Sequence, residues 1–196
     1  MGIRGHLFDA LSLRAESISS EGQPLPDNRP AGIATVELDR VQMQLASVVA
    51  NERTEQERQK PKAVALIVDA DRSFQGMQDR HLHGACAEMA VAIRLNVYWQ
   101  AGTGGDDFDL MSPAGFRVEV KSTKHASGQL LVPAGQVVGR GQACDVFIHA
   151  VTKWLPIVII TGAVKYETII NDENVRPDLR GAFCLPQSQL IRKLPK

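Results

Sequence analysis

The sequence predicts an α+β protein: a mixed β-sheet with flanking helices around an α/β-type core, preceded by a helical appendage. Three observations carry this. From residue 107 to 186, short apolar runs alternate or cluster as strands do, with glycine and proline between them. Just upstream, residues 78–94 place alanine, methionine and leucine on a helical period. And 44% of the 196 residues are hydrophobic, enough for a substantial core.

Taken in order, the first 35 residues are mixed. A short amphipathic piece from Leu7 to Leu13 precedes SSEGQPLPDNRPAG, whose prolines and glycines read as a loop. Residues 35–59 are expected to form an amphipathic helix, because Leu38, Val41, Leu45, Val48 and Val49 recur at three- and four-residue spacing, and Pro61 ends it. Residues 1–61 are therefore read as a linker and helical appendage, and 62–196 as the main domain. The sequence leaves open whether the appendage packs on the core, contacts a partner, or joins two copies into a homodimer.

The run AVALIV, 63–68, suits a buried strand or the first turns of a buried helix. Residues 78–94 are a helix with Gly84 its one weak spot. Val97-Tyr98-Trp99 reads as a short strand and AGTGGDD as a glycine-rich turn. In DFDLMSPAGFRVEVKST, 107–123, two alternating runs flank Ser-Pro-Ala-Gly, which describes a β-hairpin. Further strands are expected at QLLVP, CDVFIHAV, PIVIITGAV and GAFCLP, with room for a helix only near 134–142.

Lys plus Arg equal Asp plus Glu at 22 each, so the net charge is zero. Phosphate neutralisation usually shows as a basic excess, yet an acidic metal site offset by a basic groove gives the same total. The odd cysteines Cys86, Cys144 and Cys184 lack a CxxC pair and read as reduced core thiols. No run approaches the roughly 20 apolar residues of a membrane span, so no membrane partner and a cytoplasmic location are expected.

The hairpin carries the chemistry. If its turn is Pro113, Ala114 and Gly115, then Asp109 faces Glu119 and Asp107 faces Lys121. Directly opposed side chains have Cβ atoms about 4.5–5.5 Å apart. Two carboxylates so close repel unless something holds them, and hard oxygen donors suit magnesium or manganese. Lys121 projects from the same face as Glu119.

An Asp on one strand opposite Glu-x-Lys on its neighbour, here Asp109 and Glu119-Val120-Lys121-Ser122-Thr123, resembles the active site of the PD-(D/E)XK nuclease superfamily. A preceding helix with a glutamate, Gly84-Ala85-Cys86-Ala87-Glu88, fits the wider pattern, and the resemblance covers roughly residues 80–165. It implies a restriction-endonuclease-like fold and a magnesium- or manganese-dependent endonuclease cutting DNA, duplex first, of the small kind found in phage and mobile elements. It further implies that Asp109, Glu119 and the main-chain carbonyl of Val120 ligate the cation. Lys121 would orient or deprotonate the attacking water, and Glu88 would hold a second ion directly or through water. No proline precedes Asp106, Asp107 or Asp109, which crowd one position of the pattern. The hairpin register favours Asp109 as main ligand over Asp107, and Asp106 is expected to point with Phe108 and Leu110.

Other candidates have simpler explanations. His81 and His83 are two apart, where a helical metal pair needs three or four. Asp69 and Asp71 cap an apolar run, and Gly102-Thr-Gly-Gly lacks the lysine of a phosphate loop. Gln136 sits where some nuclease families place a glutamine, and Ser122 and Thr123 either meet phosphate or finish the strand. Arg117, Lys124, His125, Arg140 and Lys153 are candidates for backbone phosphate contacts. The alternative function is a nuclease-like fold acting as a nucleic-acid-binding or assembly module without catalysis.

Overall fold

Two nine-residue strands, Val146–Trp154 and Ile157–Lys165, form the centre of the molecule, and each is buried along nearly its whole length. A strand buried on both sides reads as a continuous apolar run, because a layer covers each face of the sheet. The computed structural model describes residues 32–59, 73–99, 101, 108–137 and 143–194. In chain order these contain β1 (Ala34–Glu37), α1 (Arg40–Gln59), α2 (Phe74–Leu95), β2 (Leu110–Met111), β3 (Arg117–Thr123) and β4 (Leu130–Val132). There follow α3 (Ala134–Val137), β5 (Val146–Trp154), β6 (Ile157–Lys165), α4 (Tyr166–Ile169), β7 (Val175–Arg176) and β8 (Ala182–Leu185).

The main sheet has five strands in the order β1-β6-β5-β3-β2, with β3 and β5 parallel and the other pairs antiparallel. On one face α2 lies against it, burying Ala85, Cys86, Met89, Ala90 and Val91 over Val118, Val120, Ile148 and Ile160. On the other, the small sheet β4-β8-β7 closes a second core of Leu130, Val132, Phe147, Val164, Ile169 and Leu185. The result is a mixed α+β architecture of helices, sheet and a second sheet.

Residues 32–59, the described part of the segment read as an appendage, are built into this core. From Ala34 to Glu37 the chain forms an edge strand on β6, where a helix was expected to begin. The helix starts at Arg40 because Asp39 and Gln42 cap each other: the Gln42 N–H donates to Asp39 Oδ1 and the Asp39 N–H to Gln42 Oε1, both at 2.8 Å. Its buried face is also turned from the expected stripe. Ala46, Val49, Ala50 and Thr54 face inward, whereas Val41, Leu45 and Val48 are exposed. Small side chains let α1 pack on the alanine-rich middle of α2, and this outweighs the larger apolar residues.

Residues 97–99 form no strand. Asn96 adopts a left-handed conformation (φ 54°) and caps α2, and the Val97 N–H bonds back to Ala92 O at 3.0 Å, so the backbone there finishes a helix. The expected strands after the hairpin all form, and α2 covers the predicted helix. The AVALIV run, the glycine-rich turn at 102–107 and most of the expected helix near 134–142 lie outside the described residues.

Candidate active site

The hairpin turn is the three-residue one. The Ser112 N–H donates to Phe116 O at 2.9 Å, the Ser112 hydroxyl accepts the Phe116 N–H at 3.0 Å, and Gly115 takes the positive φ of 82° that closes the loop. Leu110 therefore pairs with Val118 and Met111 with Arg117, and regular pairing stops there.

The ladder changes character at Asp109. Val118 and Val120 turn their N–H groups toward β2, so in a regular continuation the Val120 N–H would donate to the carbonyl of residue 108. It donates instead to Asp109 Oδ2 at 2.7 Å, while the Asp109 N–H bonds to Val118 O at 2.9 Å. The carboxylate thus folds over the end of the strand. Phe108 leaves the Leu110 face and packs against the second core, contrary to the simple alternation expected of it.

Glu119 and Lys121, two apart on one face of β3, are joined at 2.6 Å. Both are mostly buried, with 17% and 19% of their side chains exposed. Glu88 stands in the buried middle of α2, where Arg53 from α1 grips both its oxygens, at 2.6 and 2.8 Å, and the Trp99 indole N–H adds a third contact at 3.3 Å. Arg53 also lies within the electrostatic reach of Asp109 and Glu119.

Burial pushes the Asp109 carboxyl well above the usual carboxylate range, and the negative charges of Glu88 and Glu119 push it the same way. The Val120 N–H and the Lys121 ammonium pull it back only in part. Among the described residues, three carboxylates, Glu88, Asp109 and Glu119, thus lie with two cations, Arg53 and Lys121. The Asp109 carboxyl is raised first by its burial and then by the two neighbouring acids.

Asp109, Glu119 and Lys121 come together with Glu88 beside them; Asp107 lies outside the described residues. The donor set suits a hard divalent cation in charge and in chemistry: two carboxylates across a hairpin with the Val120 backbone between them. Ligation by Glu88 would require the Arg53 pair to open. Among the described residues, no three His, Cys, Asp or Glu side chains converge into a ready-made cage.

Of the other candidates, His81 pairs with Glu57 at 2.8 Å, His83 with Asp79 at 3.4 Å, and Lys124 with Asp79. Arg117 is held by Asp145, whose carboxylate accepts from its guanidinium and its backbone N–H, with distances of 2.8–3.1 Å. Gln136 is exposed on α3, and Arg140 lies outside the described residues. Sequence reasoning missed Arg53 and Trp99. The signal for Arg53 was its place one turn beyond Ala46 and Ala50, the small face of α1.

The three cysteines are buried free thiols, and burial pushes Cys86 up to about 11 and Cys144 to about 12. No helix among the described residues is long and apolar enough to cross a membrane. Compared with known proteins, the chain matches no family model, no curated protein and no solved structure.

Proposed function

We propose that the protein is a divalent-cation-dependent nuclease of the PD-(D/E)XK type, with a restriction-endonuclease-like core, that hydrolyses DNA phosphodiester bonds. One observation carries the reading. On the β2–β3 hairpin the Asp109 carboxylate accepts the Val120 N–H while Glu119 pairs with Lys121, and the acids outnumber the cations among the described residues.

Each residue then has a part. Asp109, held by the Val120 N–H, and Glu119 form the cation's binding edge, with magnesium or manganese the fitting ions. The cation supplies charge stabilisation and a nucleophile at neutral pH. The Lys121 ammonium faces the phosphate and balances the charge that grows on it, while Glu119 fixes the ammonium's position. Arg53 keeps Glu88 oriented and neutralised. DNA as substrate, duplex included, and a cytoplasmic location belong to the same reading and rest on the resemblance of Asp109…Glu119-Val120-Lys121.

A second reading, a nuclease-like fold that binds nucleic acid or assembles without cutting, is favoured by the Arg53 grip on both oxygens of Glu88, since it satisfies that carboxylate without a cation. Plasmid, linear duplex and single-stranded DNA incubated with magnesium, manganese or chelator separate the two. Cation-dependent cutting by the wild type, absent from Glu119→Ala and Lys121→Ala, is the expected result. Binding without cutting on every substrate and with either metal would establish the module.

A further inference from the structure

Lys121 also lines a cavity of about 400 Å³ on the second-sheet side of β3. Its lining is mixed. Leu131, Leu179 and Cys184 are apolar, and the two leucines are 39% and 40% exposed. Lys121, Gln129 and His149 are among its polar members. The loop that walls it is fixed in place: Gln187 Nε2 donates to Ala126 O at 3.0 Å and to Gly128 O at 2.8 Å. Gly128 lies so close to Thr123 that a Cβ there would meet its side chain at 2.5 Å.

His149 is the unusual group. It is 1% exposed, pairs with Lys121 across the parallel β3–β5 ladder, and so shares its face. The imidazole Nδ1 lies 2.7 Å from Thr161 Oγ1, whose hydroxyl also lies 3.2 Å from the His149 carbonyl. The imidazole Nε2 is buried with no hydrogen-bond partner among the described residues, and the Gln129 backbone nearby favours a proton on the ring. A buried ring nitrogen without a partner is costly, and His149 stands in the wall of a cavity. Burial keeps the ring neutral by pulling it down to about 4.

We propose that this cavity receives an unpaired nucleobase of the substrate, the nucleotide next to the bond being cut. The inference rests on the nuclease reading of the Lys121 site for the nature of its ligand. The two leucines suit the face of a flat heteroaromatic ring. A neutral, unpartnered imidazole nitrogen suits the ring's edge, whose amino and imino groups donate and whose carbonyls and ring nitrogens accept. The adjoining Lys121 suits the phosphate of the same nucleotide. A base stacked inside a duplex does not reach such a cavity, so the preferred DNA has a single-stranded end, a gap or a readily unpaired step.

The test compares two dye-labelled single strands of equal length and phosphate charge, one with bases and one abasic, by fluorescence polarisation with the full chain in chelator. The wild type is expected to bind the strand with bases at least about tenfold more tightly. Leu131→Ser/Leu179→Ser, altered only at the two exposed leucines, should lose that difference. Equal binding of both strands by the wild type, no binding of either, or an unchanged difference in the leucine variant would overturn the proposal. Cutting assays on the same samples separate it from the nuclease reading. Base preference without cutting leaves the cavity standing and removes the nuclease; cutting without base preference does the reverse.

Discussion

The β5–β6 pair and the β2–β3 hairpin are joined through the same sheet, yet they are built on opposite terms. Along β5 and β6, the residues from Val146 to Thr152 and from Val158 to Val164 are all buried, and Val151, Val158 and Ile160 are fully so. The only polar members are His149, Thr152 and Thr161, of which His149 and Thr161 satisfy each other in part. The hairpin pairs only two residues on its short strand, ends in a carboxylate folded onto Val120, and, among the described residues, gathers three acids around two bases. One region supplies stability, and the other carries an electrostatic cost that the first must support. Such a division is expected where function selects residues that a stable fold would not.

The largest effect should come from the charged region. Arg53→Met leaves Glu88 buried without its counter-ion, a loss of about 3–5 kcal/mol. Denaturant unfolding should show it, and Arg53→Met/Glu88→Gln should recover most of it. If the double variant is no more stable than the single one, the pair is not an electrostatic unit.

Next comes the apolar pair. Ile160→Ala removes a fully buried side chain from β6 and should cost about 2–5 kcal/mol. Cation-dependent cutting per folded molecule should be unchanged, because Ile160 lies on β6, separated from β3 by β5. A fall in cutting beyond the unfolded fraction would show the two regions to be coupled more tightly than described.

A smaller effect follows pH. His149 is held near 4 in the folded protein against an ordinary value near 6.5, so the unfolded chain binds more protons between these limits. Stability is fully present above about 6.5 and is lost as pH falls toward 4, by roughly 3 kcal/mol in all. Unfolding measured across that window should show the slope in the wild type and a flatter one in His149→Gln. Equal slopes would place the titrating group elsewhere.

Much of this division was legible in the sequence, for identifiable reasons. Period-2 alternation on both sides of Ser112-Pro113-Ala114-Gly115 gave the hairpin, and its three-residue turn gave the register of Leu110 to Val118 and Met111 to Arg117. Continuous apolar runs gave β5 and β6. The helix of α1 was misplaced at its start, although Asp39-x-x-Gln42 is a capping signature in plain view. Its buried face was misread because periodicity weighs Val41, Leu45 and Val48 above Ala46 and Ala50, whereas close packing on α2 prefers the alanines. Arg53 shares that small face, which was its one local signal, but its partner lies 35 residues downstream and sets no spacing pattern. The bend of Asp109 onto Val120 and the orphaned His149 Nε2 depend on side-chain geometry that no spacing encodes.

The central claim is that the acids around Lys121 outnumber the cations among the described residues, and that a divalent cation bound there offsets their charge. Thermal unfolding of the wild type and Asp109→Asn, each in chelator and in manganese, tests it most directly. Asparagine keeps an acceptor for the Val120 N–H and removes the costly charge. The account predicts that Asp109→Asn melts higher than the wild type in chelator, by about 1 kcal/mol at neutral pH, and that manganese raises the melting temperature of the wild type alone. A wild type indifferent to manganese, or a variant stabilised by it equally, would contradict the account.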